Sequence, residues 1–259
     1  MIDAHAHLTD PRLASDLDAV IARAMAAGIE RILSCGEDLP SSERAVELAK
    51  RYGAVRAAVG VHPHHATVWS DEVADGLRRL AKDERVVAIG EIGLDFSGRS
   101  APREAQERAF AAQLALAREF DLPIVVHVRD SGDAARAIID RAPPGTYGMV
   151  HCYSEGREQI DGWLGRDFLI SFAGPLTYPK NDALRDAATL PPSSALLVET
   201  DAPYLAPQSL RGQRNEPANV RETFAALARA RGVDPAALGA VIRGNARRLF
   251  GARWGEGTS

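Results

Sequence analysis

Short apolar runs alternate with amphipathic helical stretches along the whole of this chain, eight times in succession. Strands joined by helices pair in parallel with right-handed crossovers, so the alternation restricts the fold to helices packed on a parallel sheet. Strands are expected at Ile2–Leu8, Arg31–Cys35, Arg56–His62, Val86–Leu94, Ile124–Val128, Met149–Tyr153, Phe168–Phe172 and Ala195–Asp201. Helices are expected over Leu17–Ala27, Ser42–Tyr52, Arg103–Phe120, Thr223–Ala230 and Pro235–Phe250. Eight such units in 259 residues are the count of an α/β (β/α)8 TIM barrel. An open doubly wound sheet would need a Gly-rich first turn, and here the first strand runs into His5-Ala6-His7 instead. No internal repeat or linker marks a second domain, so residues 1–259 are expected to form a single domain.

Composition narrows the function classes. Hydrophobic residues at 46% and charged residues at 25% are ordinary for a soluble globular chain. No apolar run reaches the roughly 18 residues that a membrane-spanning helix needs. The net charge of −4 argues against a broad basic face that coats nucleic acid. The charge is uneven, however: from Pro203 onward there are nine Arg and no Lys against one Asp and three Glu, a net +5. That excess reads either as solvated helix faces or as a local surface for an anionic substrate. Cys35 and Cys152 lie in different expected strands without CxxC spacing, and read as buried thiols in a reducing compartment. The first strand leaves no room ahead for a signal peptide, so the cytoplasm is the expected location unless a removed leader is missing from the sequence. No obligate protein partner is evident.

The chemistry is carried by six residues at the C-terminal ends of expected strands. His5 and His7 end the first, Glu91 lies late in the fourth, His127 ends the fifth, His151 is in the sixth and Asp201 ends the eighth. In a barrel those ends converge on one rim, where active sites lie. Residues two apart on a strand face the same way, so His5 and His7 can grip one ion. Ionisable groups on apolar strands are costly unless paired or bound to metal. Imidazole and carboxylate ligands suit zinc, manganese or iron. Two ions need a shared anion between them; none of the three lysines (Lys50, Lys82, Lys180) lies on an expected strand to serve as a modified bridge, which leaves Glu91.

Seven motifs in order then resemble the TatD-type metal-dependent deoxyribonucleases of the amidohydrolase superfamily. They are Asp3-Ala4-His5-Ala6-His7-Leu8, Gly60-Val61-His62-Pro63-His64, Ala88-Ile89-Gly90-Glu91-Ile92-Gly93-Leu94-Asp95, Pro123-Ile124-Val125-Val126-His127-Val128-Arg129-Asp130, His151-Cys152-Tyr153-Ser154, Glu199-Thr200-Asp201-Ala202-Pro203-Tyr204-Leu205 and Arg211-Gly212-Gln213-Arg214-Asn215-Glu216-Pro217. The match runs from residue 2 to Asn245-Ala246-Arg247-Arg248-Leu249-Phe250. The resemblance implies a metallo-dependent hydrolase barrel that cleaves phosphodiester bonds of DNA, often from the 3′ end. It implies two divalent ions, with zinc, magnesium and manganese as candidates: His5, His7 and Asp201 on one, His127 and His151 on the other, Glu91 bridging. Two departures stand out. Phe96 replaces an aromatic with a hydroxyl after Gly-Leu-Asp, and Tyr153-Ser154-Glu155-Gly156 carries an extra acid.

Two metals would neutralise the phosphate and acidify a bound water. Asp201 is the natural general base. His62 and His64 could donate hydrogen bonds to the phosphate, or simply form a capped turn. Arg129 and Arg214 could clamp phosphate oxygens. Asn215 could bind substrate or hold its loop, and Glu199 is expected to orient a ligand histidine. The same ligand set could instead hydrolyse a lactone, an amide or the ester of a mischarged aminoacyl-tRNA. A non-catalytic nucleic-acid or partner-binding protein has no need of six converged ligands.

Overall fold

In the computed structural model, which describes residues 1–98 and 101–255, eight parallel strands run in sequential order, each hydrogen-bonded to the next. They are β1 (Ile2–Ala6), β2 (Arg31–Cys35), β3 (Val55–Val59), β4 (Val86–Asp95), β5 (Ile124–Arg129), β6 (Gly148–Val150), β7 (Leu169–Phe172) and β8 (Leu196–Val198). Helices α1 (Pro11–Ala14), α2 (Leu17–Ala26), α3 (Leu39–Arg51), α4 (Asp71–Ala81), α5 (Arg103–Glu119), α6 (Gly132–Ile139), α7 (Ile160–Leu164), α8 (Asp182–Ala187), α9 (Val220–Arg231) and α10 (Pro235–Phe250) lie between and after them. This is a (β/α)8 barrel. Most strand residues are buried, as expected where helices cover a parallel sheet, and one apolar cluster extends from Ile2 to Trp254. The expected single domain, 1–259, includes residues 99–100 and 256–259, which lie outside the described residues.

The ring closes between β1 and the segment after β8. Asp201 N–H donates to the His5 carbonyl (3.0 Å), and His7 N–H donates to the Ala202 carbonyl (2.7 Å). One layer below, the buried Asp3 carboxyl accepts from Thr200 N–H (2.8 Å) and meets the Thr200 hydroxyl (2.6 Å). Closure and site assembly are therefore one event, because the bonds that join the two ends also set His5 and His7 beside Asp201.

Helix starts follow local capping chemistry. Asp38 accepts from Ser41 N–H (2.8 Å), and α3 begins at Leu39, three residues before the expected Ser42. Ser70 and Asp234 cap α4 and α10 in the same way. Five helices were not resolved as separate expectations: α1, α4, α6, α7 and α8. Four of these have eight residues or fewer, too short for a clear 3.6-residue pattern. Several strands end earlier than expected. β3 stops at Val59, β6 at Val150 and β8 at Val198, so His62, His151, Cys152, Glu199 and Asp201 all stand on the loops that follow. Cys152 and Asp201 take positive φ (43° and 58°), outside any strand geometry.

Gly93 faces His127 across the β4–β5 ladder at φ +140°, where a Cβ would sit 2.1 Å from the His127 carbonyl oxygen. Gly93→Ala is expected to destabilise the chain by about 2 kcal/mol or more, from backbone strain plus displacement of β5. Urea denaturation at equilibrium measures this; an unchanged midpoint would show that β5 can give way freely.

Candidate metal centre

Glu91 lies in β4, one of the least exposed positions of the barrel interior at 1% accessibility. Its two carboxylate oxygens face different partners. Oε2 is 3.3 Å from both His5 Nε2 and His7 Nε2. Oε1 is 2.7 Å from His127 Nδ1, 2.8 Å from His151 Nε2 and 3.3 Å from His62 Nε2. Asp201 Oδ1 completes the first side, 3.5 Å from His5 Nε2 and 3.4 Å from His7 Nε2. All six proposed ligands thus meet in one place at the C-terminal rim. Two groups among them, His5–His7–Glu91 and His5–His151–Asp201, converge closely enough to hold an ion, as does His62–Glu91–His127.

The donor chemistry fits divalent cations. Glu91 Oε2 is buried without a hydrogen-bond partner among the described residues, although two imidazoles approach it. Isolated anionic oxygens of this kind are costly, and a bound cation relieves the cost. Burial pushes the Glu91 carboxyl up, but the surrounding imidazoles, His151 foremost, outweigh it and hold the group well below its ordinary value. Asp201 behaves alike: burial raises it, and the His7 hydrogen bond with the charges of His151 and His7 brings it below normal. His7 and His151 answer in the opposite sense. Burial lowers both, yet neighbouring carboxylates carry them well above the usual imidazole value.

The outer nitrogens decide what each ring can do. His151 Nδ1 meets Glu199 Oε1 at 3.1 Å, and His127 Nε2 meets Asp95 Oδ2 at 3.3 Å. A proton on each of those nitrogens leaves His151 Nε2 and His127 Nδ1 with lone pairs aimed at the centre. His62 is different. Its Nδ1 accepts from His64 N–H (3.1 Å), so a neutral ring carries its proton on Nε2. Burial pushes this imidazole down to about 3, so it is neutral at physiological pH. Spacing alone would admit His62 as a third nitrogen ligand, but its tautomer makes it a donor. The capped turn considered for His62-Pro63-His64 is present, with His62 as N-cap of the turn Pro63–Val68.

Other expected residues divide. Among the described residues Arg129 makes no ion pair, and it is exposed as the last residue of β5 at the rim. His64 Nε2 is 2.9 Å from Asp95 Oδ2. Arg214 is not free for a phosphate: it bonds Asp16 twice (2.6 and 2.8 Å) and the Arg12 carbonyl (2.8 Å). Asn215 is buried, donates to the Thr200 and Tyr204 carbonyls and accepts from Glu216 N–H and Asn219, so its amide holds the loop. Glu199 and Asp201 stand beyond β8 and not inside the expected strand Ala195–Asp201.

Three supports escaped sequence reasoning. Asp95 joins His64, His127 and Ser97 through its carboxylate, and Gln106 pins its backbone from both sides (2.8 and 3.0 Å). Gln113 clamps Val61 N–H and carbonyl (2.7 and 3.1 Å), fixing the turn that carries His62. The signal was there: both glutamines interrupt the buried stripe of α5. Cys35 Sγ lies 3.3 Å from His5 Nδ1, so this thiol touches a proposed ligand and is more than core filling.

Comparison with known proteins returns a coherent set. The family described as TatD related DNase matches residues 2–251. A "3'-5' ssDNA/RNA exonuclease TatD" from Enterobacter lignolyticus is 39% identical over 97% of this chain and 99% of the relative. An "uncharacterized metal-dependent hydrolase YabD" from Bacillus subtilis is 35% identical, covering 96% of this chain and 98% of the relative. The crystal structure of YJJV, a TatD homologue from Escherichia coli, superposes with a TM-score of 0.92 at 31% identity, over 96% of this chain and 97% of that one.

Asp95→Asn keeps the shape of the side chain but removes the charge behind His127. It is expected to weaken uptake of zinc or manganese by about 10- to 100-fold. Calorimetric titration of the metal-free chain checks this, and an unchanged affinity would remove Asp95 from any supporting role.

Proposed function

The chain belongs to the TatD-related DNase family of hydrolases, and on that premise we propose that it removes nucleotides from the 3′ end of single-stranded DNA, using two divalent ions, in the cytoplasm. Residues 1–259 are read as one hydrolase domain. The observation that supports this most directly is the split Glu91 carboxylate, one oxygen toward His5 and His7 and the other toward His127 and His151. With Asp201 on the first side, these residues would hold zinc, magnesium or manganese, which would neutralise phosphate oxygens and acidify the attacking water.

The chain's own groups supply the rest. Asp201 Oδ1 faces His5 and His7, which leaves Oδ2 to take the proton of the attacking water. His62 Nε2–H donates to a phosphate oxygen, its tautomer held by the His64 backbone. Arg129 stands at the rim as a further donor, its guanidinium without an ion pair among the described residues, and His64 lies nearby with Nε2 on Asp95. Arg214 and Asn215 support the loop after β8 and are not assigned to the phosphate. Among the described residues no helix is long and apolar enough to cross a membrane.

The deciding experiment is elemental analysis of the purified chain, chelation, and add-back of each metal with end-labelled single strands of DNA and RNA. Release of mononucleotides from the 3′ end, lost on chelation, is the expected result. Turnover of small esters or lactones without nucleic-acid cleavage would favour the rival hydrolase reading, and efficient nicking of closed circles would exclude an end-dependent mode.

Two substitutions separate roles. Glu91→Gln should loosen both ions and lower activity by orders of magnitude; near-normal turnover with two metals bound rules out a bridge. Asp201→Asn should lower turnover by at least about 10²- to 10⁴-fold while DNA still binds, the range expected for general-base help. Retention of most activity with the same pH profile would move the base elsewhere.

A further inference from the structure

The loop after Asp201 carries apolar side chains out to solvent at the rim. Tyr204 and Leu205 are 38% and 37% exposed. Leu205 holds φ +50°, a conformation a branched residue avoids. Its carbonyl is backed by Gly174, where a Cβ would lie 1.9 Å away, so the loop is fixed in this shape. Strain concentrated in an exposed apolar loop beside an active site is a signal of use rather than of packing.

Both aromatic rings of this region are stacked with guanidinium groups. Arg12 lies over the Tyr204 ring at 4.1 Å, held flat by Asp10, which also accepts from the Tyr204 hydroxyl (3.2 Å). Arg211 lies over the Tyr178 ring at 4.0 Å, and the Tyr178 hydroxyl donates to the Ala206 carbonyl (3.0 Å). Among the described residues Arg211 makes no ion pair, so its charge is available to a ligand. Tyr204 also meets the His7 ring edge-on, 5.7 Å between centroids. Aromatic rings interleaved with cations beside a mouth are the features by which proteins hold single strands.

We propose that this loop is a base-stacking ledge for single-stranded nucleic acid: the nucleotide next to the cleaved bond stacks on Tyr204, its neighbour stacks on Tyr178, and Arg211 meets the intervening phosphate. The inference rests on the nuclease reading, and extends it to how the strand is held. Stacking tolerates every base, so the ledge gives affinity for single strands with little sequence preference, and a duplex, whose bases are already stacked on one another, cannot use it.

The test is binding of fluorescent single strands with phosphorothioate linkages at the 3′ end, which resist cleavage, followed by anisotropy. One strand is oligothymidylate, and the other is a sugar-phosphate chain of equal length without bases. The whole chain should bind the base-bearing strand roughly tenfold tighter or more. Tyr204→Ala should abolish most of that difference and leave the base-less strand bound as before, whereas Tyr204→Phe should retain it. Equal binding of both strands by the unsubstituted chain, or equal weakening of both by Tyr204→Ala, overturns the ledge. If Tyr204→Ala lacks the native circular dichroism spectrum, Tyr178→Ala decides by the same criteria. Cleavage of an ordinary oligonucleotide by the same preparation is scored separately. A strand held through Tyr204 but never cut would remove the nuclease reading and leave the ledge standing.

Discussion

A carboxylate buried in the middle of a barrel is the constraint on which the remaining arrangement depends. Glu91 is almost wholly buried, and removing its charge from water costs several kcal/mol unless opposite charge is at hand. Five imidazoles lie within 3.3 Å of it and supply that charge in part, and divalent ions would supply it fully. The imidazoles in turn need partners, because each ring has two nitrogens and only one can face the centre. The barrel provides these partners from neighbouring strand ends, so burial of one acid organises a shell of further residues around it.

That shell is lopsided. His127 and His151, on the Oε1 side, are backed by the carboxylates of Asp95 and Glu199. On the Oε2 side His5 is backed by the Cys35 thiol, and among the described residues His7 Nδ1 has no hydrogen-bond partner, with Glu37 3.9 Å away. A carboxylate behind an imidazole raises its basicity and fixes its tautomer, and a thiol does so far less. Asp201 offsets the difference by adding a formal charge to the weaker side. The two halves are thus built on different principles: one gains strength from charges behind its ligands, the other from a charge among them.

The sequence made the centre legible because its residue types are expensive. Histidine and acid at the ends of apolar runs have few cheap explanations, and the i, i+2 spacing of His5 and His7 is that of a strand, although β1 stops at Ala6 and His7 stands one residue beyond it. Residues whose function depends on loop conformation were not legible. Arg214 carries the same charge whether it faces a phosphate or Asp16, and only the path of the chain after Asp201 decides. Asp95 looked like the end of a motif, and the three partners of its carboxylate come from three separate segments. Strand ends were overestimated because apolar character continues past the ladder, as in Val61 and Tyr153, which are buried without being in strands.

Those overestimated ends explain how one rigid scaffold supports a precise site. A residue inside the ladder is restricted to two directions, toward the barrel axis or toward the helices. A residue just beyond it can adopt positive φ and turn its side chain sideways, as Asp201 does at 58°. The backbone there remains anchored, because Asp201 N–H is bonded to the His5 carbonyl and Ala202 is paired with Ala6. The result combines freedom of direction with fixity of position. Residues that must meet from different strands gain from such a place, which is why the acid proposed to move a proton stands three residues past β8 while the acid proposed to bridge is held inside β4.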